Sequence, residues 1–173
     1  KDKKNIKYVH SGVANLQERI AKESIDLIIL VRVLHHLEDP DRFFDISKRL
    51  LKKNGYLILE FANKSHLKAI FKEFSKGNLT FPLDIFPKEV PSSKWRRKTT
   101  LPFLNFHPDL IKHKLEERGF IIKQGRSVSN IRLPFFKKIL TQDTLIAIES
   151  VLQVPFYLIS FGPSIFLLAQ KTE

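Results

Sequence analysis

Apolar residues crowd into a short run at 27–31, directly after the acidic Asp26. The run is β-branched and continuous rather than alternating, which is the pattern of a strand buried on both faces. It ends at Arg32, His35 and His36. Glu38, Asp39, Pro40 and Asp41 then form a helix start, with carboxylates at its positive end and Pro40 in the first turn. Phe43, Phe44, Ile46, Leu50 and Leu51 recur at near-helical spacing, Lys52 and Lys53 fall in the last turn, and Asn54-Gly55 stops it. The spacing predicts a helix over 40–53 and a second buried strand over 56–61. Strand, helix and strand at this length make one right-handed βαβ unit with parallel strands. In such sheets ligands lie beyond the carboxyl ends of the strands. Here those ends are Val31-Arg32 and Ala62-Asn63.

Either side of this unit the pattern is weaker. Residues 6–13 read as a short strand ending at Gly12, and 16–24 as a polar helix or loop. Leu67, Ile70, Phe71 and Phe74 mark an amphipathic helix over 65–75. Residues 76–106 keep no period and hold Pro82, Pro87, Pro91 and Pro102. They also hold the basic cluster Lys94-Trp95-Arg96-Arg97-Lys98, and read as an insertion capping a site. His107-Pro108-Asp109 opens a further helix with Leu110, Ile111 and Leu115 as its buried stripe, ended by Gly119. Residues 120–128 are strand-like, 133–162 form a second insertion that is helical over 141–153, and 164–171 make a last strand. The nearly apolar stretch 151–169 is about long enough to span a bilayer, but Pro155, Gly162 and Pro163 interrupt it. A segment dipping into a membrane surface is the better of the two membrane readings. The fold class is α/β, with one domain over 1–173 carrying insertions at 76–106 and 133–162.

Composition changes this picture in three places. The 173 residues suffice for one sizeable core. There is no Cys, which removes a disulfide framework or thiolate metal site and fits a reducing, cytoplasmic setting. The formal charge of +12 favours anionic partners, although a solvated lysine-rich surface accounts for it as simply. The chain starts at Lys and contains no Met, so a fragment or processed chain is expected.

The stretch 25–64 resembles the class I methyltransferases that use S-adenosylmethionine, and within them the small-molecule, type 11-like branch. The resemblance rests on Asp26, Leu27 and Ile28, on Leu34-His35-His36-Leu37 with Asp39-Pro40, and on Arg49-Leu50-Leu51-Lys52 with Asn54-Gly55-Tyr56-Leu57-Ile58. It implies a Rossmann-like sheet whose strands run in the order 3-2-1-4-5-7-6, with 6–12 as strand 3. It implies S-adenosylmethionine as cofactor and a small or medium-sized acceptor. The segment Val13, Ala14 and Asn15 would lie against the adenine ring, with Val13 standing where the family commonly has an Asp. Leu30, Val31 and Arg32 would meet the cofactor at the end of strand 4. The family's glycine-rich turn has no counterpart, since the six glycines stand at 12, 55, 77, 119, 125 and 162. The resemblance therefore covers strands 3 to 7, and the first two strands with their helices are expected to be missing. Such a chain is expected to bind the cofactor weakly and to be inactive alone. The strands at 27–31, 56–61, 120–127 and 164–170 are expected to form one sheet in the order 4-5-7-6, with 27–31 at an open edge.

Methyl transfer from a sulfonium expels a neutral leaving group, so few polar residues are required. The catalytic candidates are His36, Asn63 and His107. The substrate candidates are His35, Trp95, Arg96 and Arg97, the last three clamping an anionic acceptor. Each has a plainer role open to it: the histidines can cap helices, Asn63 can form a turn, Arg32 can pair with Glu60 or Asp39, and the basic run can be a solvated loop. A rival reading is a catalytically inactive basic module that binds RNA or an anionic membrane surface. No nucleic-acid motif accompanies the charge, which counts against it. Oligomeric state is not legible.

Overall fold

The computed structural model describes residues 5–37, 39–90, 103–131 and 138–172. Its framework is a four-stranded sheet built from β1 (Ile25–Leu30), β2 (Leu51–Ala62), β5 (Phe120–Val128) and β6 (Ser164–Lys171), in the order β1-β2-β6-β5. β1 and β2 are parallel, and β6 runs antiparallel to both β2 and β5. This is the order and sense expected from the sequence. A small ribbon of β3 (Lys88–Val90) and β4 (Phe103–Asn105) stands apart from the sheet. The helices are α1 (Leu16–Arg19), α2 (Pro40–Leu50), α3 (Leu67–Phe74), α4 (Pro108–Glu116) and α5 (Gln142–Leu158).

One face of the sheet carries the core. Leu57, Leu59 and Phe61 of β2 alternate inward, as do Ile165, Leu167 and Ala169 of β6, and they meet Phe43 and Phe44 of α2 and Ile111 and Leu115 of α4. Period-2 burial on β6 and a capped amphipathic α2 show why these residues take these elements. Asp39 caps α2 by accepting from the Arg42 N–H at 2.9 Å, and Pro40 occupies its first turn. The basic cluster 94–98 lies outside the described residues.

Several local expectations are corrected. α2 ends at Leu50, not 53, because Leu51 turns extended, pairs with Ile25 and is wholly buried. Lys52 then leaves the helix and bonds Asp26 at 2.8 Å. Residues 6–12 form no strand, and Val13–Asn15 is a 3-10 turn. β1 is not buried on both faces: Leu27 and Ile29 are exposed on the side away from the core, and its outer edge carries no strand among the described residues. α5 is longer than 141–153 and runs through Pro155 to Leu158. The apolar stretch 151–169 is divided between the end of α5, a turn and β6. No helix among the described residues is long and apolar enough to cross a membrane.

Candidate active site

Because β1 and β2 are parallel, their carboxyl ends lie side by side, and the antiparallel β6 starts at the same end where β5 finishes. These chain ends surround a cavity of about 520 Å³, within the range of small-molecule sites. The insertion after α3 supplies one wall. Phe106 donates its N–H to the Ala62 carbonyl at 2.9 Å and accepts from the Lys64 N–H at 2.9 Å, which extends β4 past the end of β2. That placement brings Phe103 and Asn105 into the cavity wall. Lys64, almost fully buried, anchors the same insertion through Nζ bonds to the Asp84 carbonyl (2.6 Å), the Phe86 carbonyl (2.7 Å) and the Asp84 carboxylate (2.6 Å).

Glu60 forms the polar floor. It projects from β2 on the face opposite the core, yet is only 6% exposed. Two donors hold its carboxylate: the Arg32 N–H reaches Oε2 at 2.7 Å, and the Ser164 hydroxyl donates to Oε1. Arg32 adopts a left-handed backbone, φ 59°, to aim that N–H. A non-glycine residue in this conformation is a local cost that persists only where surroundings enforce it. The Arg32 interaction with Glu60 is therefore made by the backbone, while the residue itself stays exposed at the cavity mouth.

His35 lines the cavity and is 7% exposed. Its ring lies 4.3 Å from that of Phe103 and 4.3 Å from that of His36. Nδ1 is buried without a hydrogen-bond partner among the described residues. Burial lowers its pKa below the ordinary 6.5; the neighbouring His36 adds to the lowering and the Glu60 carboxylate opposes both. The imidazole is thus neutral at pH 7, with a lone pair to offer. An NMR titration of the His35 ring should give a midpoint below 6.5. The unfolded chain then binds the extra proton first. Stability tied to this group is intact above 6.5 and falls as pH drops toward the lowered folded-state value. A midpoint at or above 6.5 would remove the neutral-imidazole assignment.

The predicted residues divide sharply. Val31, Arg32, His35 and Asn63 meet at the cavity. His36, the catalytic candidate of the pair, does not line it and packs behind, edge-on to Phe103 at 5.5 Å. Asn63 is 1% exposed and its amide is fully committed. Nδ2 donates to the Ser160 and Gly162 carbonyls at 2.7 and 2.8 Å, and Oδ1 accepts from the Ser65 N–H and hydroxyl at 3.0 and 3.1 Å. It positions the turn before β6 and has no group left for chemistry. His107 is likewise committed: Nε2 donates to the Pro82 carbonyl at 3.1 Å and Nδ1 accepts from the Asp109 N–H at 3.2 Å, capping α4 away from the cavity. Val13, Ala14 and Asn15 do not line the cavity; Val13 packs on the core and the Ala14 carbonyl accepts from Arg42 Nη2 at 3.4 Å. Leu30 also packs on the core. Trp95, Arg96 and Arg97 lie outside the described residues. Sequence reasoning treated Glu60 only as a partner for Arg32 and passed over Phe103 and Asn105. Glu60 did carry a signal, being a lone carboxylate within the apolar run 56–62.

A parallel β1-β2 pair continued by an antiparallel β6-β5 pair, with a cavity at the strand ends, is a Rossmann-like arrangement, and its fold is similar to that of solved S-adenosylmethionine-dependent methyltransferases. Residues 1–59 match the sequence family described as methyltransferase domain. No curated protein matches the chain. Among solved structures, it is similar to a methyltransferase of Thermotoga maritima described as a possible histamine N-methyltransferase, at 15% identity and TM-score 0.53 over 94% of this chain and 62% of that one. It is similar to an S-adenosylmethionine-dependent methyltransferase of Archaeoglobus fulgidus at 16% identity and TM-score 0.53, over 94% and 66% of the two chains. A third is the 1,6-didemethyltoxoflavin-N1-methyltransferase of Burkholderia thailandensis, solved with S-adenosylhomocysteine, at 12% identity and TM-score 0.54 over 95% and 50%. The chain thus spans less than two thirds of the length of each of these three proteins.

Proposed function

We propose that this chain is the acceptor-side part of an S-adenosylmethionine-dependent methyltransferase that acts on a small molecule. The observation that supports this best is the 520 Å³ cavity at the ends of the parallel β1-β2 pair, to which the stretch 1–59 that matches the methyltransferase domain contributes Val31, Arg32 and His35. The bound S-adenosylhomocysteine of the Burkholderia protein agrees with that cofactor.

The residues fit the cofactor at one end. Arg32 is exposed, lines the cavity and takes part in none of the ion pairs among the described residues. It suits the carboxylate of the methionine moiety, with Val31 beside it. The nucleoside end has less to hold it, because no two glycines stand close enough to form a tight backbone cradle. When bound, the cofactor supplies an electrophilic methyl group on a sulfonium. The chain's own part is to orient the acceptor, exclude water with Phe103, Val31 and Phe166, and remove a proton at His35 Nδ1.

Titration of S-adenosylhomocysteine into the ¹⁵N-labelled chain tests this reading. Binding should be weak, with a dissociation constant on the order of a millimolar, or roughly 4 kcal/mol. Amide shifts should centre on Val31, Arg32 and His35. A saturable site that leaves those three amides unmoved would overturn the assignment.

A further inference from the structure

Arg32 brings a cationic donor to the mouth of the cavity, but the unpaired groups deeper in its wall are acceptors. Glu60 keeps lone pairs beyond the two that accept from Arg32 and Ser164, since a carboxylate has about four acceptor sites. Asn105 Oδ1 is buried with no partner among the described residues. His35 Nδ1 is buried with none either, on a ring that burial holds neutral. A wall of acceptors around Glu60 asks the part of the ligand that meets it for donors. A buried carboxylate also asks for a positive charge, because an ionised group out of water is costly unless it is paired. Among the described residues no ion pair reaches Glu60, and three segments commit structure to hold it: the left-handed Arg32, β2 itself and Ser164 at the start of β6. Phe103 and Phe166 add aromatic surface to the rest of the wall, which they share with Arg32, His66 and Ser129.

Resting on the methyltransferase reading above, we propose that the acceptor is an amine carried on an apolar or aromatic body. It docks as its ammonium on Glu60 and Asn105 and gives up a proton to His35 before methylation. The proton leaves nitrogen for His35 Nδ1, and the freed lone pair forms the new N–C bond. The S–C bond of S-adenosylmethionine breaks with its electrons passing to sulfur, which leaves neutral S-adenosylhomocysteine and a methylated ammonium. The net charge of +12 attracts anions from afar, but surface charges are screened within about 8 Å in physiological salt. Glu60 acts inside that distance and would repel an anionic acceptor at the floor.

An ammonium at Glu60 has two sources, the acceptor and the amino-acid end of the cofactor. Calorimetric or NMR titration of the 173-residue chain separates them. The probes are 2-phenylethylamine, 2-phenylethanol and 3-phenylpropionate, matched in ring and length and differing in charge. The amine should bind about tenfold more tightly than the alcohol, as a charge-assisted hydrogen bond in a partly buried site provides, and the carboxylate should bind least. Glu60→Gln should abolish the preference for the amine. Should that variant not fold, the ranking of the three probes on the unaltered chain decides alone. Equal binding of amine and alcohol, or a preference that survives Glu60→Gln, overturns the proposal. Displacement of the amine by S-adenosylhomocysteine assigns Glu60 to the cofactor and overturns it too. Each of these results leaves the cofactor shifts at Val31 and Arg32 intact, so failure of this inference is distinct from failure of the methyltransferase reading.

Discussion

Gly125→Ala should destabilise the chain by about 3 kcal/mol, the upper part of the range for overpacking a core. A Cβ built on Gly125 would stand 2.0 Å from the Tyr157 ring, with two further ring carbons at 2.3 Å. Real Cβ atoms do not approach this closely, so Tyr157 or the strand must move. Neither moves freely. Gly125 stands midway along β5 and pairs with Leu167 of β6, and Tyr157 packs on the core with Lys112 Nζ 5.3 Å over its ring. Glycine is therefore required here by close approach, not by backbone conformation. The contact is what seats α5 on β5. Urea denaturation of Gly125→Ala, Tyr157→Ala and the double variant should give losses that fall short of additivity by about 2 kcal/mol, since removing the ring makes room for the methyl. Additive losses would mean that α5 does not press on Gly125.

The same contact shows what the sequence hides. The strands were legible because their signals are local: continuous apolar runs, turn residues after them, and charge at helix ends. The strand order was legible through the family pattern at 25–64. Features set by distant partners were not. β5 carries a register shift between Ile122 and Gln124, so the inward positions change from Phe120 and Ile122 to Gly125 and Ser127. No periodicity search anticipates that change of parity. Leu51 abandons a helix its spacing favoured because pairing with Ile25 buries it completely. α5 continues through Pro155, against its propensity, as far as the residue that Gly125 admits and one beyond.

The site was legible to the level of the strand ends and no finer. Val31, Arg32, His35 and Asn63 do converge there, as parallel strands require. Which of them has an atom to spare depends on hydrogen bonds to residues far along the chain. His35 and His36 are indistinguishable as letters, and only packing by Phe103 of the insertion sets one against the cavity and the other behind it. His107 reads as chemistry until Pro82 and Asp109 are seen to occupy both of its nitrogens.

Asn63 gives the sharpest test of that distinction, because a catalytic and a positioning role predict different losses. Its amide bonds Ser160, 97 residues away, and Gly162, 99 away. The chain of bonds continues beyond it. The Gly162 N–H donates to Ser127 Oγ at 2.8 Å, Ser127 Oγ donates to Asn130 Oδ1 at 2.6 Å, and Asn130 Nδ2 donates to Glu149 of α5 at 3.0 Å. One side chain thus fastens the end of β2 to the start of β6, the end of β5 and α5. Asn63→Ala leaves two carbonyls and the Ser65 N–H without partners in a buried place, each costing 1 kcal/mol or more, so a loss of about 3 kcal/mol is expected. Asn63→Asp preserves the shape and the acceptor facing Ser65 but sets a carboxylate oxygen against both carbonyls. It should therefore be no more stable than Asn63→Ala, although a volume argument alone would favour it. In both variants Glu60 loses its fixed geometry indirectly, through the displaced turn that carries Ser164. Ligand affinity at the cavity should then fall in step with stability and recover when the fold is restored by a stabilising osmolyte. A variant of wild-type stability that had lost only ligand affinity at the cavity would make Asn63 a direct ligand contact and overturn the positioning role.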